Sequence, residues 1–339
     1  MEKVKVIVVG YGVIGQRLAD GVALQEDMEL LGVVDAAPTL SVKALKDKGM
    51  PYKLYAAFLD AKENLEKAGI PVSGLMEDIL PEADVALDAT GAGIGAKNKK
   101  LYEKYNVKAI FQGGEDNSIA DVFFHGYANY EEGVGADFLK LTSCNTTGLI
   151  RAVDCMDKVV GVEKIAVTII RRVADPGDYH RGLTNALQVD KAPNHQALDL
   201  MNIMPHVKAT GLLIHTPVTH GHFISIVATP KKNISKETLL DAFRSHPRIK
   251  VVSIDEGFLG NASVFRYGRD VGNLRGDLYE IFVWEDLIVK SGNDIMFGIH
   301  IPQESVTIPE TIDAIRACTK IQIDGNKGVS KTNLYLGMK

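Results

Sequence analysis

Cysteine is scarce in this chain: three residues in 339, at positions 144, 155 and 318, with no C-x-x-C pair and an odd total. That excludes a disulfide framework and a cysteine-type zinc site, and points to a reducing, cytoplasmic setting. Positive charge is not in excess either. Lys plus Arg number 38 against 43 Asp plus Glu, so the net charge is −5. A nucleic-acid or anionic-membrane surface needs a basic footprint that this balance does not supply. No apolar run approaches the length of a membrane span. The N-terminus enters an apolar strand at once, without a signal-peptide pattern. Low-complexity tracts and internal repeats are absent. What remains is ordinary globular composition, 46% hydrophobic and 24% charged. The length predicts two domains.

The first half reads as a doubly wound α/β domain that binds a dinucleotide. Val4 to Val9 is a β-branched run, as in a strand buried on both faces of a parallel sheet. It is followed by Gly10-Tyr11-Gly12-Val13-Ile14-Gly15, a helical pattern from Gln16 to Leu24, and a second strand, Leu30 to Val34, ending at Asp35. Each glycine has a task. Gly10 permits the tight turn, Gly12 admits a pyrophosphate close to the backbone, and Gly15 lets the helix pack on the strand. Asp35, 20 residues after the last glycine, is placed to accept from the ribose hydroxyls and to repel a 2′-phosphate. NAD is therefore favoured. NADP is the alternative if Lys43 or Lys46 folds back to take the phosphate. Two further strand ends, at Asp88-Ala89-Thr90-Gly91 and Gln112-Gly113-Gly114, belong to the carboxyl edge where such sheets hold ligands. Thr90, Gly113 and Gly114 are candidate cofactor contacts.

Ser143-Cys144-Asn145-Thr146-Thr147-Gly148 sits where a strand-like run, Phe138 to Thr142, meets a helix-like run, Leu149 to Val159. A cysteine beside unsatisfied helix N–H groups and the positive end of the macrodipole is favoured as thiolate, the reactive form. A buried, inert thiol is the alternative. Beyond it the texture changes. Strand-like runs at 165–172, 211–216, 222–228, 249–254 and 279–284, with helices only at 235–245 and 309–317, predict an α+β domain on a largely antiparallel sheet. Ala174 to Thr210 shows little periodicity and reads as an irregular functional segment. His220 and His222 would share one face of an extended segment. With no acid nearby they suit acid–base work better than zinc binding. Arg171 and Arg172 end a strand and offer guanidinium groups to a phosphate or carboxylate. Asn194, His195 and Gln196 add polar groups. Ordinary uses, a satisfied core histidine and solvated arginines, compete with each of these readings.

Together these blocks resemble the archaeal (type II) glyceraldehyde-3-phosphate dehydrogenase family. The resemblance is carried by the glycine fingerprint, Lys108 to Glu115, Ser143 to Leu149, Arg171-Arg172 with Ala174-Asp175-Pro176, Asp255-Glu256-Gly257 and Gln303-Glu304-Ser305, in that order. It implies a Rossmann domain over residues 1–140, a catalytic domain over 141–303, and a C-terminal helix in 304–339 that returns to the first domain. It implies Cys144 as nucleophile and His220 as its partner. Val13, Ile14, Gly113 or Gly114, Arg172 and Gln303 would contact the nicotinamide dinucleotide. Ser143, Asn145 and the Asn194-His195 region would hold a phosphorylated aldehyde. Thr146, Thr147, Arg171 and His195 are candidates for its phosphate and for inorganic phosphate. A cytoplasmic homotetramer working in glycolysis or gluconeogenesis is also implied. The chain departs from the family pattern at Val34 to Pro38, at Pro193 to Ala197 and at His215 to Thr219. The first departure strengthens the Asp35 argument for NAD. The other two fall where substrate is expected, so another aldehyde, such as a semialdehyde, is the rival substrate. A catalytically silent nucleotide binder is the rival from another class.

Overall fold

A computed structural model describes residues 2–172, 187–218 and 220–338. Ala174-Asp175-Pro176, part of the Ala174 to Thr210 segment, and Thr219 lie outside the described residues. The chain forms two units, one running to Thr142 and including Ile308–Gly337, the other running from Ser143 to Thr307.

The first unit begins with β1 (Val4–Val9), α1 (Val13–Ala23), β2 (Met28–Asp35), α2 (Leu40–Asp47), β3 (Leu54–Ala56), α3 (Leu59–Lys67) and α4 (Met76–Ile79). It continues with β4 (Val85–Asp88), α5 (Gly95–Tyr105), β5 (Lys108–Phe111), β6 (Val122–Phe124) and β7 (Phe138–Leu141). The seven strands pair in the order β3-β2-β1-β4-β5-β7-β6, every pair parallel. Strands covered on both faces read as continuous apolar runs, as β1 and β4 do. The strand order reverses direction between β1 and β4, and such a switch point opens a crevice at the carboxyl ends.

The second unit comprises α6 (Cys144–Val160), β8 (Val162–Arg172), β9 (Gln188–Val189), α7 (His195–Ile203), β10 (Lys208–Thr216), β11 (His222–Pro230) and α8 (Lys236–Ser245). After these come β12 (Ile249–Val252), α9 (Asn261–Asp270), β13 (Ile281–Trp284), β14 (Val289–Ser291) and β15 (Asp294–Ile301). The sheet order is β12-β13-β15-β11-β8-β10-β9, with β14 on β15. Only the β8–β10 and β12–β13 pairs are parallel, so the sheet is mixed and mostly antiparallel. Alternation along the strands divides its faces. Ile165, Val167, Ile169, Ile224, Ile226, Ile299 and Ile301 are buried, and α6 packs against β8, β11 and β15. Ala166, Thr168, Ile170, Phe223, Val227 and Met296 point the other way and remain half-buried or exposed. Among the described residues no helix is long and apolar enough to cross a membrane.

The chain closes with α10 (Ile308–Cys318) and α11 (Gly325–Tyr335), both in the first unit. The C-terminal segment is therefore two helices, not one. Every residue of α10 is buried, including Glu310, Asp313 and Arg316. Buried charge must be paired, and Arg316 donates to both Asp27 carboxylate oxygens (2.8 and 3.0 Å), to Gln25 (2.7 Å) and to Thr332 (2.7 Å).

One expectation needs correction. Residues 195–203 are not irregular but helical. Asn194 caps that helix, its Oδ1 accepting from the Ala197 N–H at 2.8 Å. Ala197, Leu200 and Ile203 bury a stripe at three-residue spacing. The polar residues between them hid the period.

Candidate active site

In the first unit the glycine loop forms an anion cradle. Gly10 has φ of 88°, and a Cβ there would lie 2.9 Å from the Ala89 carbonyl carbon. A Cβ on Gly15 would lie 1.9 Å from the Gly10 oxygen. The turn is folded so tightly on itself that no side chain fits at either place. Gly12 differs. It is the N-cap of α1 with no capping side chain, and a Cβ there would meet nothing within 4 Å. The first-turn N–H groups of α1 thus open onto clear space, with Val13 and Ile14 half-buried behind Gly12. These residues fit a dinucleotide's phosphates.

Asp35 does more than the sequence suggests. Its Oδ2 accepts from the Tyr11 N–H (3.0 Å), and its Oδ1 from the Ala36 and Ala37 N–H groups (2.7 and 3.1 Å). The carboxylate therefore ties the glycine loop to the end of β2. Burial nevertheless pushes its pKa above the usual carboxylate value, against the pull of those three donors. Lys46, one of the two lysines weighed for a 2′-phosphate, has its Nζ beside Gly69, past the end of α3. A second buried carboxylate, Asp88, organises the next loop. It accepts from the Thr90 N–H (3.1 Å) and hydroxyl (2.5 Å), from Asn98 Nδ2 (2.9 Å) and from the Tyr102 hydroxyl (2.7 Å). Burial, then the charge of Asp88, hold the Tyr102 phenol well above its ordinary pKa, so it stays a donor. Gly113 and Gly114 stand exposed at the end of β5, with Gly114 close to Ala92 of the Asp88 loop.

In the second unit Cys144 is the first residue of α6. Ser143 caps the helix, its Oγ accepting from the Thr146 N–H at 3.3 Å, while the Ser143 carbonyl accepts from Thr147 at 2.7 Å. Cys144 is half-buried, whereas Cys155 and Cys318 are buried. Burial pushes both of those thiols up to about 12. Position and exposure together leave Cys144 as the thiol suited to nucleophilic work. Its neighbours Asn145, Thr146 and Thr147 are buried. The Thr146 hydroxyl lies 2.9 Å from Ser143 Oγ and bridges to Asp199 on α7 at 3.4 Å. Thr146 and Thr147 are both buried, and the Thr146 hydroxyl is engaged within the protein. Asn145 Oδ1 is buried with no hydrogen-bond partner among the described residues, which leaves it able to accept from a donor.

Arg172, His220 and Gln303 are brought together. They line one cavity of about 40 Å³, along with Asn261, Phe265 and Glu304. Arg172 is nearly fully buried and donates to Glu304 at 3.2 Å. The two histidines do not share a face as an extended segment would require. Gly221 turns the chain with φ of 68°. His220 thereby faces the cavity, while His222 is buried and its Nδ1 accepts from the Arg172 N–H at 3.2 Å. Burial, then the neighbouring Arg171 charge, hold the His222 pKa well below the ordinary value, so this imidazole is a neutral structural group. Arg171 is half-buried on β8 and His195 is exposed at the start of α7. Asn194 is committed elsewhere: besides capping α7, its Nδ2 donates to the Leu212 carbonyl at 3.0 Å. Sequence reading missed Asn261, Phe265 and the Asp88 network. Phe265 and Asn261 lie at i, i+4 spacing on a helix whose period was not recognised.

Comparison with known proteins agrees with this division. Residues 143–287 match the family described as glyceraldehyde 3-phosphate dehydrogenase, C-terminal domain. Residues 4–113 match that described as dihydrodipicolinate reductase, N-terminus. The fold is also similar to the crystal structure of aspartate semialdehyde dehydrogenase II from Vibrio cholerae, with a TM-score of 0.65 at 13% identity, over 94% of this chain and 99% of that one. Among curated proteins, the glyceraldehyde-3-phosphate dehydrogenase of Methanoregula boonei is 38% identical across 97% of this chain and 96% of its own. That of Archaeoglobus fulgidus is 38% identical across 100% and 99%. Identity of that order, sustained from end to end on both sides, means that the chain belongs to the glyceraldehyde-3-phosphate dehydrogenase family.

Proposed function

We propose that the chain is a phosphorylating glyceraldehyde-3-phosphate dehydrogenase. The observation that carries the reading is Cys144: a half-buried thiol at the first position of a capped helix, in a chain whose other thiols are buried. The Cys144 thiolate attacks the aldehyde carbon and forms a thiohemiacetal, dividing one hard step into two. The N–H groups opening α6 hold the developing oxyanion. His220 takes the hydroxyl proton as the thiohemiacetal is oxidised to a thioester, a general-base contribution of typically ~10² to 10⁴ in rate. Inorganic phosphate then displaces Cys144 and leaves as an acyl phosphate. The glycine loop of α1, Asp35 and the loops at Thr90 and Gly113 would hold a nicotinamide dinucleotide. That group, when bound, supplies the two-electron acceptor.

A spectrophotometric assay with glyceraldehyde 3-phosphate, phosphate and either NAD or NADP tests the reading. Reduction that requires phosphate is expected. Turnover without phosphate, or none on this aldehyde, would defeat it. One observation supports a second aldehyde: the side chains of Asn194 and Thr146 are buried and hydrogen-bonded within the protein, so fewer groups are left for a substrate phosphate. A semialdehyde belongs in the same assay.

Asp35 favours NAD. Asp35→Ser should raise the NADP-to-NAD ratio of kcat/KM roughly 10-fold, the scale of one charged contact. It should also weaken both cofactors, because the Tyr11 N–H loses its acceptor. An unchanged ratio would remove Asp35 from cofactor choice. A cytoplasmic homotetramer completes the proposal, with the half-exposed sheet face around Ile170, Phe223 and Met296 as a surface for another copy.

A further inference from the structure

The cavity holds His220 in a frame that the scheme above does not use. Asn261, the first residue of α9, donates from Nδ2 to the His220 carbonyl oxygen at 2.7 Å. Phe265 lies one turn later on the same helix face. Its ring centroid is 4.3 Å from that of the His220 imidazole, the planes tilted by 42°. One further turn on, the Arg269 guanidinium lies 4.7 Å from the Phe265 ring centroid and braces it. On the C-terminal side of His220, Gly221 packs directly on the His300 ring: a Cβ there would lie 2.1 Å from an imidazole carbon. His300 is fully buried, pulled down to about 3 by that burial, and stands edge-on to Phe282 and Trp284. The His220 carbonyl, its ring and the Gly221 backbone that follows are each fixed by a separate contact.

Such a frame has a use. A general base must reach its proton at hydrogen-bond distance, within about 0.5 Å and 10–20° of the working geometry. A histidine in a bend, outside any helix or strand, has no regular structure to hold it there. We propose that Asn261 and Phe265 are positioning residues for His220, and that α9 is the element that sets the geometry of the base. Asn261 anchors the peptide, and Phe265 fixes the imidazole plane. Arg269 in turn packs on the Phe265 ring, 4.7 Å from its centroid. The inference rests on the reading of His220 as the base.

The test is steady-state kinetics with thermal unfolding on Phe265→Leu, Phe265→Tyr and Asn261→Ala, with His220→Ala as reference. Phe265→Leu should lower kcat roughly 10- to 100-fold, the cost of a misplacement of about 1 Å, with KM within about twofold. Phe265→Tyr keeps the ring and should recover kcat to within about threefold. Asn261→Ala, which removes only the hydrogen bond, should lower kcat about 3- to 10-fold with KM unchanged, and it carries the test if Phe265→Leu melts early. The proposal is overturned if Phe265→Leu and Asn261→Ala both keep kcat within twofold while His220→Ala is inactive. It is equally overturned if Phe265→Tyr loses as much as Phe265→Leu. A fully active His220→Ala would instead defeat the assignment of the base.

Discussion

Two of the helices that follow a parallel strand, α1 and α6, begin differently. At α1 the cap position is Gly12, no side chain reaches back, and space is clear around it. At α6 the cap is Ser143, whose hydroxyl satisfies the Thr146 N–H, and the next residue is Cys144. Both present the positive end of a helix. Where the end is left open, it waits for an anion brought by a ligand. Where it is capped and a thiol stands first, the helix end faces the protein's own candidate nucleophile. On the proposed reading, one piece of backbone physics serves binding in one unit and covalent chemistry in the other, and two residues make the difference.

The largest expected effect separates the two ends outright. Cys144→Ala should lower kcat by at least about 10⁴-fold, the usual scale for removing a nucleophile. A fluorescence titration should find dinucleotide binding unchanged. Iodoacetamide should label Cys144 of the native protein before Cys155 and Cys318, whose thiols burial raises to about 12. Equal labelling of all three would erase the distinction.

The next effect lies at α1. Gly12 has φ of −82° and an open side, so Gly12→Ala should fold normally while binding the dinucleotide roughly 10- to 100-fold more weakly, because the methyl occupies the phosphate's approach. Gly10→Ala meets positive φ and the Ala89 backbone. It should cost about 1–3 kcal/mol of stability in a urea titration. If both variants lost stability alike, the cradle would be closed backbone and not an open site.

The smallest effect is at the α6 cap. Ser143→Ala should cost about 1 kcal/mol, read as a lower urea midpoint. The measured loss reports how much of that helix end the hydroxyl satisfies.

The legible parts of the molecule are those in which a short segment carries its own signal. β1, the glycine loop, α1 and β2 follow from a β-branched run, three glycines and an acid, because the contacts that require each residue are local. The strand-to-helix step at Cys144 follows in the same way. What escaped was interleaved or remote. The α7 helix was hidden by His195, Gln196 and Asp199 between its apolar positions. β15 pairs with β11, far back in the chain, as well as with its neighbours β13 and β14, and α9 reads as a polar stretch with one buried valine, Val264. His220 and His222 looked like one pair until Gly221 turned them apart.

Local chemistry was therefore enough to mark the candidate nucleophile, the glycine loop and the acid at the second strand, because each is defined by its own neighbours in the chain. It was not enough to say which side chains are at liberty. Thr146, Thr147 and Asn194 proved to be packed and bonded, Asp35 proved to brace the loop it was expected only to border, and His220 acquired a frame from residues more than 40 positions away. Burial and hydrogen-bond partners arise from elements distant in sequence, and only the folded chain brings those elements together.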